Sequence, residues 1–182
     1  MAQLVRVRRL SEGEWELLRA VRLEMLADTP MAYVESLASA LVQTEGQCCS
    51  RAAAMTAPGS VTSVAEDDSA ANRCCGLMRV VVKHPQEANR PLQAVLISLY
   101  VAAAYRGTGL ADRLLSGAVD AAASELAAGI LQLGVHEDNT RALGFYARHG
   151  FQDTGRREAY PLDTSKKEII MELPLSLAVP AA

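Results

Sequence analysis

The chain has 182 residues and a calculated mass of 19.5 kDa, half of its residues are hydrophobic, and 18 basic residues against 21 acidic ones give a net charge of −3. A chain of this size buries a full core without a metal or a disulfide, so we expect one domain over residues 1–182. The charge balance lacks the basic footprint of a nucleic-acid-binding protein, and no apolar run is long enough to span a membrane. We therefore expect a cytoplasmic protein that binds neither nucleic acid nor membranes.

The chain begins with a predicted strand and a helix. Apolar and basic residues alternate in Leu4–Leu10, which indicates a half-buried strand. Ser11 is placed as a helix N-cap, Glu14 completes a capping box, and the helix ends at Asp28-Thr29-Pro30.

A second, alanine-rich helix is predicted over Glu35–Met55, and it ends near Pro58-Gly59. Two short strands follow, Val61–Glu66 and Cys74–Lys83. They flank the polar segment Asp67–Asn72, and this pattern predicts a β-hairpin.

The second half of the chain alternates strands and helices. After a loop at His84–Pro91, the most apolar run, Leu92–Val101, is short and β-branched, which predicts a central strand buried on both faces. From Gly109 onward small and leucine residues recur every four positions, which predicts an amphipathic helix of at least four turns. The remaining predicted elements are a strand at Ile130–Val135, a helix at Thr140–His149, and strands at Phe151–Tyr160 and Lys167–Leu175.

The predicted order is therefore β-α-α-β-β-β-α-β-α-β-β. The strand–helix–strand unit in the middle requires a right-handed crossover, so its two strands are expected to be parallel. The other strands are expected to come from hairpins. The fold class is α/β (α+β) with a mixed, mostly antiparallel sheet and flanking helices.

The four cysteines form two vicinal pairs, Cys48-Cys49 and Cys74-Cys75. Neither pair has the C-x-x-C spacing of redox or zinc sites, and neighbouring Cα atoms, about 3.8 Å apart, are too close for an unstrained disulfide. We interpret these residues as small apolar side chains and expect no metal site.

The segment Tyr105–Ala111 lies between the buried strand and the amphipathic helix, and its sequence is Y-R-G-T-G-L-A. A glycine turn at a helix N-terminus presents free backbone N–H groups and the positive end of the helix dipole, which together favour an anion. No Gly-Lys-Ser/Thr follows, so the segment is not a P-loop. Asp112 stands where a dinucleotide fingerprint needs its third glycine.

Two segments in this order resemble the GCN5-related N-acetyltransferase (GNAT) family. Tyr105–Ala111 is similar to the family's Arg/Gln-x-x-Gly-x-Gly/Ala pyrophosphate loop. Asn139–Phe151 is similar to its Asn-x-x-Ala-x-x-x-Tyr-x-x-x-Gly-Phe block. The resemblance covers Leu96–Phe151 closely and the rest of the chain loosely, through the order of the elements. It implies a GNAT-like fold in which the two parallel middle strands splay apart.

The resemblance also implies that acetyl-CoA, the acetyl donor, binds between the splayed strands. The pyrophosphate would lie on backbone N–H groups of the glycine loop with Arg106 nearby, and the pantetheine arm would pair with the main chain of Leu99–Val101. Asn139 would hydrogen-bond the pantetheine, although a role as helix N-cap is equally natural and both can hold. The residues expected to bind the cofactor are Leu99, Tyr100, Val101, Arg106, Gly107, Thr108, Gly109, Leu110, Ala111, Asn139, Phe145 and Tyr146.

Transfer of an acetyl group to an amine requires a proton acceptor for the amine and a way to stabilise the oxyanion and the leaving thiolate. The resemblance places Tyr146 beside the CoA sulfur as general acid; the competing interpretation is a tyrosine packed at a helix end. The main-chain N–H of Val101 or of a neighbour could polarise the thioester carbonyl.

The general base is the point at which this sequence departs from the family. Many relatives carry a glutamate on the fourth strand, but Ala94–Ser98 has no carboxylate. Glu137 is the favoured candidate, although it could equally be a solvated strand end. The other candidates are His136, Glu35, His84 and Asp163, and a water chain ending on one of these groups would also serve.

The predicted function is acetyl-CoA-dependent acetylation of a primary amine of a small molecule. The acidic balance suits a cationic aminosugar such as an aminoglycoside-type antibiotic, and hence antibiotic resistance. Two alternatives stay open: a protein N-terminal or lysine acetyltransferase, and a non-catalytic acyl-CoA-binding sensor, which the missing strand carboxylate suggests. By analogy with relatives, Asp28–Met55 is expected to line the acceptor pocket. A homodimer is also left open.

Overall fold

The computed structural model describes residues 5–69, 73–83 and 91–176. Its helices are α1 (Trp15–Asp28), α2 (Leu37–Leu41), α3 (Glu45–Thr56), α4 (Leu110–Asp120) and α5 (Thr140–Arg148), with 3-10 turns at Pro30–Ala32 and Ala103–Tyr105. Its strands are β1 (Val5–Arg9), β2 (Ser60–Asp67), β3 (Arg73–Lys83), β4 (Gln93–Val101), β5 (Ile130–His136), β6 (Gln152–Tyr160) and β7 (Asp163–Pro174).

The seven strands form one sheet in the order β1-β2-β3-β4-β5-β7-β6. All neighbours are antiparallel except β4 and β5, which are parallel. The predicted mixed, mostly antiparallel fold with one parallel central pair is therefore confirmed. The last strand, β7, returns between β5 and β6, a placement that brings residues of its middle beside β5.

The central pair of strands is joined only at one end. β4 and β5 pair over Gln93–Val95 and Ile130–Gln132 and then diverge. At the point of divergence β4 carries an extra residue, Ile97, because Arg79 on β3 lies opposite Ser98 while Val80 lies opposite Leu96. A bulge of this kind bends its strand and re-aims side chains, often beside a functional site.

The bulge corrects one expectation. The strand was predicted to be buried on both faces, but Ile97 is 44% exposed. The sequence pattern cannot reveal the bulge, because Ile97 is as apolar as its neighbours and only the pairing with β3 turns it towards the opening.

The predicted helix over Glu35–Met55 is wrong as a single element, since α2 and α3 are separate helices. Thr44 begins α3 with a complete capping box: its hydroxyl accepts the Gln47 N–H at 3.3 Å, and the Gln47 side chain accepts the Thr44 N–H at 2.9 Å. The Thr-x-x-Gln pattern is the sequence signal that marks this second start.

The start of α1 also differs from the prediction. The helix begins at Trp15, with Glu14 rather than Ser11 at the N-cap. Glu14 Oε2 still accepts the Ser11 N–H at 2.7 Å, but the same carboxylate binds Arg8 at 2.6 Å. The glutamate half of the capping box is therefore present, whereas the Glu14 N–H donates to the Ser11 carbonyl at 3.1 Å and not to the Ser11 hydroxyl.

Helix α4 covers the middle of the sheet. It begins directly after the glycine loop, packs on β3 and β4, and continues into a wide π-helical turn at Ala121–Glu125. Ala118 and Ala122 are fully buried, so the small side chains of this segment lie against the sheet as the four-residue repeat predicts.

Several expectations concern absences or undescribed residues. His84, a candidate for the general base, lies with the rest of residues 84–90 outside the described residues. Residues 70–72, in the predicted hairpin turn, also lie outside them. No helix in the described part of the chain is long and apolar enough to cross a membrane. All four cysteines are free, and burial raises the pKa of Cys75 to about 11 and that of Cys74 to about 12.

Candidate active site

Three cavities with overlapping linings follow the opening between β4 and β5. The first, which we call the glycine-loop cleft, has a volume of about 520 Å³ and is lined by the end of β4, the Tyr105–Gly109 loop and α5. The second, the throat, has about 80 Å³ and lies between Leu96–Leu99 and Leu133–His136. The third, the arginine cavity, has about 480 Å³ and is lined by residues of α1, α3, β3 and of β4 to β7. Tyr33 lines all three cavities.

The glycine loop presents open backbone to its cleft. Gly107 and Gly109 have positive φ values of 77° and 82°, which a residue with a Cβ adopts only at a cost. A Cβ built on either glycine would have no heavy atom within 4 Å. Gly109 is also the N-cap of α4, with no side chain to cap the helix. The first N–H groups of α4 therefore have no capping side chain, and this fits a phosphate.

Hydrogen bonds of Tyr105 and Thr108 hold the glycine loop in place. The phenol of Tyr105 donates a hydrogen bond of 2.7 Å to the buried carboxylate of Asp67, and the Thr108 hydroxyl donates to the Tyr105 carbonyl at 2.7 Å. The side chain of Leu110 is 2% exposed and points into the core. Neither Thr108 nor Leu110 lines the cleft.

Basic side chains border the glycine-loop cleft. Arg106 lines it as expected, but its guanidinium is already bound to the Asp28 carboxylate and, through Nε, to the Val101 carbonyl at 3.1 Å. Arg141 and Arg148 on α5 also line the cleft and are exposed. Sequence reasoning missed them, although their positions on the helix that carries Tyr146 would have been a usable signal.

The edge of β4 that faces the opening is free of a partner strand beyond Val95. Leu99, Tyr100 and Val101 line the cleft on this edge. An extended amide chain could add to it as a short strand, since main-chain donors and acceptors are presented there.

Helix α5 closes the other side of the cleft. Asn139 is its N-cap, accepting the Ala142 N–H at 3.2 Å. The ring of Phe145 packs against Tyr146 and His149, at centroid distances of 5.3 and 4.5 Å. Tyr146 lines both the cleft and the throat. Burial raises the pKa of its phenol well above the usual range, so Tyr146 is protonated at neutral pH.

The structure separates the predicted base candidates. Glu137 lines none of the three cavities, and its carboxylate accepts the Lys167 N–H at 3.1 Å. Asp163 is exposed and accepts from Ser165. His136 does line the throat, where its Nδ1 accepts the Asp138 N–H at 3.2 Å. Glu35 lines the arginine cavity but is paired with arginines.

Glu168, which sequence reasoning did not consider, lines the arginine cavity. It lies opposite His136 on β5 and opposite Glu158 on β6. Burial, followed by the charge of Glu158, raises the pKa of the Glu168 carboxyl. Gly134 leaves room beside it, since a Cβ there would lie 3.3 Å from Glu168 Oε1. Only the insertion of β7 beside β5 brings this carboxylate to the cavity, and the order of strands along the chain does not predict that insertion.

These features together suit a reaction between two molecules. An anion and an extended amide chain fit one cleft, a protonated phenol lies at the throat, and a carboxylate of raised pKa lies in the cavity beyond it. The described residues contain no group of histidine, cysteine or acidic side chains that could hold a metal ion.

Comparison with known proteins gives a consistent result. The model of the family described as "Acetyltransferase (GNAT) family" matches residues 22–151. No curated protein matches the sequence. An N-acetyltransferase from Staphylococcus aureus Mu50 has the same fold, with a TM-score of 0.74 at 18% identity over 94% of this chain and 99% of its own.

Two further solved structures differ in what their names say they act on. Spermidine N-acetyltransferase from Vibrio cholerae, solved with CoA and spermine, has a TM-score of 0.72 at 17% identity, covering 97% of this chain and 98% of its own. Ribosomal-protein-S18-alanine N-acetyltransferase from Escherichia coli has a TM-score of 0.63 at 19% identity, covering 98% and 99%. At these identities the likeness concerns the fold.

Proposed function

This chain belongs to the GNAT acetyltransferase family, and from that premise we propose that it transfers the acetyl group of acetyl-CoA to a primary amine of a small molecule. The observation that carries the proposal is the throat beside Tyr146, whose lining shares residues with both the glycine-loop cleft and the arginine cavity. One cleft suits the donor, the other cavity suits the acceptor, and the throat is where the two would meet. The proposal covers residues 1–182 as one acetyltransferase domain.

Acetyl-CoA, when bound, supplies the acetyl group as a thioester. The backbone N–H groups of the glycine loop and the start of α4 would hold its pyrophosphate, with Arg106, Arg141 and Arg148 nearby. The free edge of β4 at Leu99–Val101 would hold the pantetheine arm by main-chain hydrogen bonds. A neighbouring N–H on this edge would polarise the thioester carbonyl.

Two side chains would handle protons. Glu168 would accept the proton of the attacking amine, directly or through water, because its raised pKa makes it a stronger base than an exposed glutamate. Tyr146 would keep its proton at the phenol oxygen until a thiolate forms beside the throat. Glu137, which the sequence suggested as base, would instead hold the end of β5 to β7.

The acceptor pocket is proposed to be the arginine cavity. The preference for a cationic aminosugar rested on the charge of the whole chain. The cavity itself is lined by four basic side chains, Arg22, Arg51, Arg79 and Lys83, and by three acidic ones, Glu35, Glu158 and Glu168. An aminoglycoside panel, read as CoA release, tests that preference. We propose the cytoplasm as location, in keeping with four free cysteines.

The test compares wild-type protein with Tyr146→Phe. We expect acetyl-CoA to bind both proteins by isothermal titration with similar Kd values, while turnover of an amine falls about 100-fold in the variant, a normal effect of removing a general acid. Absence of acetyl-CoA binding to the wild type overturns the proposal. Binding without turnover of any small amine or peptide favours the sensor, and turnover of peptides alone favours a protein acetyltransferase.

A further inference from the structure

One end of the arginine cavity contains more arginine than its carboxylates can neutralise. Arg22 from α1 and Arg51 from α3 both bind Glu35, the latter at 3.0 Å. Arg79 from β3 has no carboxylate within ion-pair distance among the described residues, and its Nε donates instead to the Ser60 hydroxyl at 3.2 Å. Three guanidinium groups thus lie beside a single carboxylate, and only two of them bind it.

The members of the cluster are shielded from bulk water to different degrees. The side chains of Arg22, Glu35 and Arg51 are 11%, 19% and 33% exposed, and Arg79 is half-buried. Burial, followed by the charges of Arg51 and Arg79, lowers the pKa of Arg22 to about 10, and burial with the charge of Arg51 lowers that of Arg79. Arginine keeps its charge in proteins, so positive charge is present here and the single carboxylate compensates it only in part.

A purely structural role accounts for only part of this cluster. Glu35 braces α1 against α3 through Arg22 and Arg51, and it also accepts a hydrogen bond from Gln43 at 2.9 Å. Arg79 takes no part in that brace, yet it lies at the same cavity wall and bears a full charge. Arg79 is half-buried, so its charge is only partly solvated, and a bound anion would stabilise it.

The opposite end of the cavity is acidic. Glu168 on β7 and Glu158 on β6 line it, and Glu158 is paired with Arg156 at 2.6 Å. In the sheet, β3 and β7 are separated by β4 and β5, which diverge beyond Val95, so the backbones that carry Arg79 and Glu168 lie on opposite sides of the opening. Both side chains reach into the cavity between them, and the throat opens between these two ends.

We propose that Arg79 and Arg51 form an anion subsite, and that the acceptor is therefore an amine that also carries an anionic group, a carboxylate or a phosphonate, several bonds from its nitrogen. The inference rests on the proposed function. The anionic group binds at the arginines, and the amine lies towards Glu168 and the throat. Guanidinium groups suit this task because they bind carboxylates and phosphoryl groups in a bidentate manner.

The experiment uses matched acceptors. A series of ω-amino carboxylates, ω-amino phosphonates and the corresponding ω-amino carboxamides is assayed with acetyl-CoA, and the same compounds are tested without acetyl-CoA for their effect on Tm. We expect kcat/KM for the best acid to exceed that of its amide at least tenfold, and the acid alone to raise Tm by about 3 °C when present well above its Kd. The two classes of acid show which anion the subsite prefers.

The variants separate charge from structure. Arg79→Gln is expected to remove both the preference for acids and the shift in Tm, while Arg79→Lys keeps part of each. Arg19→Gln is the matched control, because Arg19 lies one turn before Arg22 on α1 and does not line the arginine cavity. It is expected to behave as wild type.

The outcomes distinguish the two proposals. Equal or better use of amides or polyamines, with normal acetyl-CoA turnover, overturns the anion subsite and leaves the acetyltransferase function intact. If no amine is acetylated, the proposed function is wrong, but the shift in Tm without acetyl-CoA still tests whether the subsite binds the acids. Absence of a shift with every acid, or a shift that survives in Arg79→Gln, overturns it.

Discussion

At the scale of single residues, the proposed chemistry depends on two titratable side chains that share no element. Tyr146 lies on α5 and Glu168 on β7, and the throat and the arginine cavity lie between the elements that carry them. Burial raises the pKa of both. For the phenol this preserves a proton at neutral pH, and for the carboxylate it strengthens a base.

Glu168→Gln removes the proposed base while keeping the shape of the side chain. We expect kcat to fall about 100-fold with an unchanged Kd for acetyl-CoA. In the wild type, kcat/KM is expected to rise with pH as the Glu168 carboxyl ionises, at a pH above the ordinary 4.5 of a glutamate, and this acidic limb should disappear in the variant. If Glu137→Gln abolishes turnover and Glu168→Gln does not, the base is Glu137.

Gly109→Ala tests the backbone of the glycine loop. A residue with a Cβ at φ +82° loses about 1–2 kcal/mol of stability. The shifted N–H groups should also weaken acetyl-CoA binding about tenfold, seen as a higher Kd in calorimetry. Gly46→Ala is the control, because Gly46 lies in α3 with open space around it and should gain up to about 1 kcal/mol. Equal stability of Gly109→Ala and Gly46→Ala would contradict the conclusion that the positive φ of Gly109 requires glycine.

At the scale of elements, local patterns predicted the glycine loop, α5 and most strands, because each depends on residues close together in sequence. The prediction of one helix over Glu35–Met55 was wrong because it used the alanine content, which suggests a continuous helix, and not the Thr44–Gln47 capping box, which starts a new one. The bulge at Ile97 and the placement of β7 beside β5 depend on pairing between distant segments. No pattern within either segment contains that information.

Thr44→Ala tests the break between α2 and α3. Loss of the N-cap should destabilise the protein by about 1 kcal/mol, a decrease in Tm of about 2–4 °C in thermal unfolding. Thr44→Ser, which keeps the hydroxyl, should unfold at nearly the wild-type temperature. A Tm for Thr44→Ala within a degree of the wild type would mean that packing alone, through Cys48, Ala52 and Met55, determines where α3 begins.

At the scale of the whole molecule, buried acidic groups fix the N-terminal strands to the site. Glu66 on β2 binds Arg8 on β1 at 2.7 Å, and the next residue, Asp67, accepts the hydrogen bond of Tyr105. Hydrogen bonds, from Arg8 to Glu66 and from Ser69 and Tyr105 to Asp67, lower the pKa of both carboxyls. The glycine loop is thereby coupled to the far edge of the sheet.

The lowered pKa values of Glu66 and Asp67 predict that the folded protein loses stability in acid. Because their pKa values are lower in the folded protein, their contribution to stability is complete above the ordinary values of 4.5 and 3.8 and is lost as pH falls through the folded values. Tyr105→Phe should lower Tm at pH 7, and the difference from wild type should shrink towards pH 2.

Tyr160→Phe is the matched control for that measurement. The phenol of Tyr160 donates to a backbone carbonyl, that of Tyr33, at 2.7 Å, so Tyr160→Phe should lack the change in its effect on Tm that protonation of Asp67 causes. A pH-independent difference for Tyr105→Phe would show that Asp67 is not the acceptor that matters.

The separate linings of the two large cavities have a consequence for how such an enzyme could change over time. The proposed donor contacts come from β4, the glycine loop and α5, whereas the charges of the arginine cavity come from α1, α3, β3, β6 and β7. Tyr33 and Ala32 are shared between them. Under the proposed anion subsite, replacing Arg79 with leucine would therefore alter the choice of acceptor without touching the donor contacts. Mutation and selection can thus change acceptor specificity while donor binding stays constant. The same separation gives protein engineers a defined set of positions to randomise.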